Sequence, residues 1–249
     1  ECTGIFMNKS SHTRHFYLLC LAARSAAFAF LIVYALIAPE RFDADLTAPL
    51  GSVTPLSVVW LLLMLSMAVR LFPSKSESLG CQKEFARRFR PTGHLPSSQE
   101  IRHANRGAAV VLAVWIISNA VVFGLYFLGW LSQRAMVCLA GFYGVCDIIC
   151  ILFFCPFQAW MMHNRCCTTC RIYNWDYLML CTPLLPLTGP LTRWACILAA
   201  VLFVRWEITY HFRRERFFES SNQALQCSQC QEHLCRYKRQ LKHKLHLHS

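Results

Sequence analysis

The chain has 249 residues, 55% of them hydrophobic and only 15% charged, with a net charge of +12. A soluble domain carries about 25% charged residues, so this balance excludes an ordinary soluble domain and points to an all-α, polytopic membrane protein. The surplus of 25 Lys and Arg over 13 Asp and Glu is read as the positive-inside bias of cytoplasmic loops, and specific nucleic-acid binding is not expected.

Residues 1–15 form a short N-terminal segment, in which Met7-Asn8-Lys9 reads as a start and 1–6 as upstream residues. The apolar run 16–38 exceeds the roughly 7–15 residues of a signal-peptide core and is taken as a retained span. Arg24 lies within snorkelling reach of its cytoplasmic end. A loop over 39–52 carries Glu40, Asp43 and Asp45 against Arg41. A second span, 53–72, completes the first pair, 16–72.

The basic loop 73–106 follows. In it Cys81, Phe85, Ala86 and Phe89 share one face at about 100° per residue, which predicts a short helix lying on anionic lipid headgroups. Spans three and four, 107–131 and 135–157, fill the block 107–157. Gly141 and Gly144 in the fourth permit close helix approach. A cysteine-rich loop, 158–175, leads to the last apolar block, 176–212.

That block has 37 residues. As one helix it would be about 55 Å long at ~1.5 Å per residue, against a hydrocarbon core of about 30 Å. Pro183, Pro186 and Thr188-Gly189-Pro190 break it, predicting a short fifth span and a sixth over 194–212. Six spans put twenty Lys and Arg on one side and three on the other, with Arg24 and Arg205 inside spans. The chain is thus read as an integral protein of the plasma or an inner membrane with both termini cytoplasmic. Trp60, Trp130, Trp175, Trp194, Trp206 and Tyr210 are expected at span ends as an aromatic belt. The segment 213–249 is a basic cytoplasmic tail able to meet anionic lipid.

Seven of the fifteen cysteines, Cys146, Cys150 and Cys155 among them, fall in predicted spans and read as packing residues. Six others are patterned. Cys166, Cys167 and Cys170 give C-C-x-x-C in the 158–175 loop, and Cys227, Cys230 and Cys235 give C-x-x-C-x-x-x-x-C in the tail. A two-residue gap lets both thiolates of a turn reach one tetrahedral ion, and reduced cytoplasmic thiols favour metal over disulfide. Zinc is the first expectation, an iron–sulfur cluster the second and reactive thiols the third, with His163 and His233 as substitute ligands.

Asp147 in the fourth span and Arg205 in the sixth fall at similar depth and are expected to pair, with Asn119 of the third span joining them, because midplane charges are costly alone. The function expected first is a membrane interaction or assembly protein whose metal organises loop and tail, acting with a protein partner or a second copy. Membrane redox chemistry comes second, and a small transporter or channel using Asp147 and Arg205 third. Nucleotide-loop, zincin and nucleophile-elbow motifs are absent from the sequence.

Overall fold

A computed structural model describes residues 3–73, 78–230 and 235, with side chains from residue 15 onward. Seven helices follow in order: α1 (Thr3–Ile37), α2 (Pro39–Thr47), α3 (Pro55–Arg70), α4 (Ser98–Phe127), α5 (Gln133–Leu152), α6 (Asp176–Cys181) and α7 (Pro190–Phe212). Among the described residues there is no strand, only an isolated bridge between Pro91 and Asn222. Residues 15–37 of α1, all of α4 and all of α5 are long and apolar enough to cross a bilayer, and they mark the chain as a membrane protein. α3 is apolar but shorter, at 16 residues.

Helix starts are set by caps that hydropathy does not register. α4 begins nine residues before its apolar run because Ser97 and Glu100 form a capping box. The Ser97 hydroxyl accepts from the Glu100 amide (3.2 Å), and the Glu100 carboxylate accepts from the Ser97 amide (2.8 Å). Ser132 caps α5 in the same sense, accepting from the Ala135 amide. The acidic 39–52 loop contains α2, which the charge pattern concealed. Its Phe42 and Leu46, one turn apart, are buried in the main core with Leu56, Leu184 and Ala195.

The last apolar block is broken as expected. α6 gives way to a 3-10 turn at Thr182–Leu184, and α7 starts on Pro190, whose missing N–H costs nothing at a first helical position. Asp176 lies beside Arg70 at the end of α3, while Gly189 touches α2, so 176–189 runs from one end of the bundle to the other. A Cβ on Gly189 would collide with the Leu46 carbonyl oxygen. Gly144 likewise holds α5 close to its neighbours, since a Cβ there would lie 3.0 Å from Leu180 Cδ1.

At the Asp176 end, three distant segments build a cap. Thr92 Oγ1 donates to the Ser220 carbonyl (2.7 Å), the Gln223 amide to the Arg90 carbonyl (2.8 Å) and Arg216 Nη1 to the Glu84 carbonyl (2.8 Å). Asn174 Nδ2 donates to the Cys81 carbonyl (3.1 Å), tying 78–92 to 157–175. Beneath them Trp206, Trp175, Tyr210, Phe217 and Met162 pack together.

Two expectations are corrected here. The 81–89 segment is not one helix on headgroups but two 3-10 turns, Cys81–Glu84 and Ala86–Arg88, with Cys81, Gln82, Lys83 and Glu84 buried in the cap. Of the expected belt, Trp130 and Trp194 are exposed, whereas Trp60, Trp175, Trp206 and Tyr210 are core residues. Hydrogen bonds satisfy three of these inside, as Trp206 Nε1 donates to the Arg171 carbonyl, Tyr210 to Asn105 Oδ1 and Trp175 Nε1 to Glu207 Oε1. His233 and the 236–249 part of the tail lie outside the described residues.

Candidate functional site: thiols and ion pairs at the capped end

Each C-x-x-C motif is folded as a tight turn. The Cys170 amide donates to the Cys167 carbonyl (3.0 Å), and the Cys230 amide to the Cys227 carbonyl (3.4 Å). A turn of this kind sets two thiols toward the same ion. The loop turn lies within the cap, and the tail turn directly follows the strip 220–223 that pairs with 90–92. The six thiols are not gathered, however. Cys227 is exposed, Cys166, Cys230 and Cys235 are half-buried, and Cys167 and Cys170 are buried. Among the described residues no group of three or more His, Cys, Asp or Glu is arranged to hold a metal ion.

Cys167 and Cys170 meet other cysteines instead. Cys167 Sγ donates to Gln158 Oε1 (2.9 Å) and lies 4.0 Å from the Cys150 carbonyl oxygen. The Gln158 amide donates to Cys155 Sγ (3.4 Å), which links Cys155 through Gln158 to Cys167. Cys146, Cys150, Cys155, Cys167 and Cys170 all line one cavity of about 290 Å³. Cys146, Cys150 and Cys155, expected to pack within the fourth span, line this cavity from α5 and from just past its end. The signal was present in the sequence: Cys146 and Cys150 sit one turn apart on α5, and Cys155 follows where the helix stops.

The charged residues are partnered differently from expectation. Asp147 pairs with Arg24 (2.7 Å), not Arg205, and Arg24 also donates to the Gly144 carbonyl. Arg205 lies at 3.8 Å from Glu84, donates to the Leu71 carbonyl and sits over the Phe85 ring. Asn119 is buried in α4 and donates to its own helix at the Trp115 carbonyl (3.0 Å). The physical reason is reach. α1 packs closely on α5 at Gly141 and Gly144, so the Arg24 stem lies against Gly144, while Arg205 faces the 71–85 segment.

A second pair, Arg70 and Asp176 (2.6 Å), was not foreseen. The Tyr177 ring lies between the two arginines, 4.5 Å from Arg70 and 5.7 Å from Arg24. The pairs form a polarised wall. Asp147 and Asp176 line the thiol cavity, whereas Arg24 and Arg70 line a separate cavity of about 520 Å³ beside α1 and α3. One side of the wall is suited to a cation, the other to an anion.

In the cap itself the Lys83 amine is buried and donates to the Cys170 carbonyl (2.7 Å), with the rings of Trp206 and Phe217 within 6 Å. Burial pushes its pKa down to about 8, against the opposing pull of the Cys170 thiol. Burial also pushes the Cys170 thiol up, with Lys83 acting in the other direction. Nearby, Arg171 grips the Glu207 carboxylate with both guanidinium nitrogens, and Trp175 Nε1 donates to the same group (2.7 Å).

No protein family, curated protein or solved structure matches this chain.

Proposed function

We propose that the protein is a membrane assembly factor with six crossing segments, both termini in the cytoplasm, and a zinc ion that joins the 158–175 loop to the tail through Cys167, Cys170, Cys227 and Cys230. Cys166 and Cys235 stand beside these as spare ligands. The observation that carries the reading is the matched pair of hydrogen-bonded C-x-x-C turns, both adjoining one cap. Each turn offers two thiolates, and a structural zinc site is closed by four. The described thiols are not gathered at one point, so a shared site requires the tail turn to come onto the loop turn. Zinc binding to such a set releases on the order of 10 kcal/mol, ample for that rearrangement.

Metal analysis and an absorption spectrum of the purified protein test it. One zinc per chain in colourless protein, lost in Cys167→Ser/Cys170→Ser and equally in Cys227→Ser/Cys230→Ser, is the expected result. Zinc retained by the tail variant overturns the shared site. Brown protein containing iron and sulfide replaces zinc with the iron–sulfur alternative.

A further inference from the structure

The thiol cavity has features that the zinc reading does not use. Three of its five cysteines come from α5 and the residues just after it, and they belong to neither patterned motif. Its remaining walls are mostly apolar, with Trp115, Phe142, Phe157 and Met179 among them, and no His lines it. Asp176 also lines it. That side chain is 7% exposed, and while one oxygen pairs with Arg70, Oδ1 has no hydrogen-bond partner among the described residues.

We propose that this cavity is a binding site for a soft monovalent cation of the Cu(I) class, held between the thiolates of Cys150 and Cys155 with Cys167 and Cys170 as neighbours. Three arguments select that chemistry. Thiolate ligands favour soft ions, and carboxylates and water favour hard ones; apolar walls supply no water to complete the shell of a hard divalent ion. A Cu(I) ion is satisfied by two thiolates in a line, and Cys150 and Cys155 stand five residues apart on one stretch of chain that lines this cavity. A tetrahedral ion would need a third and fourth ligand, and no group of three is in place among the described residues.

Charge agrees with this choice. The carboxylates on the cavity side of the ion-pair wall draw a cation in, while Arg24 and Arg70 stay on the far side. Coordination forms two S–Cu bonds and breaks two S–H bonds. Both protons pass to the buffer, and the metal keeps its oxidation state, so no oxidant or reductant is consumed.

The proposal stands apart from the zinc reading, although both involve Cys167 and Cys170, because it does not need the tail. Reduced full-length protein in detergent is titrated with Cu(I) under ascorbate against a chromogenic Cu(I) chelator. Wild-type protein is expected to withhold Cu(I) from the chelator, Cys227→Ser/Cys230→Ser to match it, and Cys150→Ser/Cys155→Ser to bind more than about tenfold more weakly. A cavity variant as tight as wild type overturns the proposal, as does wild-type protein that never competes. To separate a binding defect from a folding defect, wild-type protein is also loaded with Ag(I) and treated with a maleimide, and each cysteine is mapped by mass spectrometry. Protection of Cys150 and Cys155 supports the site; protection confined to Cys227 and Cys230, or none, overturns it. Failure of the zinc reading shows separately, as wild-type protein without zinc.

Discussion

Lys83 is the residue whose environment is least compatible with its charge, and pH reads that directly. In the unfolded chain its amine keeps a proton to about 10.5, whereas the fold lowers that to about 8. Below 8 both states are protonated, and the burial cost is present in full. As pH rises through 8 the folded state gives up its proton before the unfolded chain does, so stability increases. Cys170 acts in the opposite sense: burial raises its thiol above the ordinary 9, so above that pH the unfolded chain ionises first and stability falls. Other titrating groups are common to wild type and Lys83→Met, so the difference between the two isolates the amine. The thermal midpoint of wild type in detergent, taken relative to that of Lys83→Met, should climb by on the order of a few degrees from about pH 7.5 to 9. A difference that moves the other way across the window would contradict the assignment. The ion-pair wall gives a second test at this scale. Arg24→Met leaves Asp147 buried without its partner, at a cost of about 3–5 kcal/mol, whereas Arg24→Met with Asp147→Leu removes both charges and should recover most of it. Unfolding measurements on the two variants distinguish a wall from an incidental contact: equal losses in single and double variants would remove the pair as a stabilising unit.

At the level of elements, the long apolar runs were legible because a bilayer imposes a length that hydropathy reports. Their ends were less so. Ser97 and Glu100 form a pattern that can be read from sequence, but counting apolar residues passes over it and registers only the part of α4 from 107 onward. α2 is hidden because charged residues dominate its sequence, and their partners are distant or non-obvious: Asp43 meets Arg134 and Asp45 accepts from Tyr34, while Phe42 and Leu46 enter the core. The thiol site was half legible. The spacing within each motif predicts its turn, but which cysteines meet depends on how α5 ends against the loop, a tertiary fact with no local signature. Lys83 lay beyond sequence reading for the same reason, since its acceptor is a backbone carbonyl 87 positions away. The break before α7 is the element on which the arrangement turns. Gly189→Ala should push α2 away from the start of α7 and cost about 1–3 kcal/mol, seen as a lower denaturant midpoint. An unchanged midpoint would mean the contact gives way freely. Ser97→Ala, which removes only a cap, should cost about 1 kcal/mol and provides the reference for a local effect.

For the whole molecule, the cap constrains topology independently of charge. Segments 78–92, 157–175 and 213–226 are hydrogen-bonded or packed into one layer, so they lie on one side of any membrane the bundle crosses. α2 and the start of α7 lie at the other end. Under the proposed topology the capped end faces the cytoplasm, because among the described residues it holds most of the Lys and Arg and the cytoplasm retains such loops. A short epitope inserted beside Gly51, where the backbone has room for a side chain, should be reached by antibody on intact cells. Epitopes beside Gly93 and at the C-terminus should be reached only after permeabilisation. If Gly93 and the C-terminus were found on opposite sides, the cap could not exist as described, and the shared zinc site would fall with it. If both were external together with Gly51 internal, the cap and its thiol cavity would stand, and only the cytoplasmic orientation would be reversed.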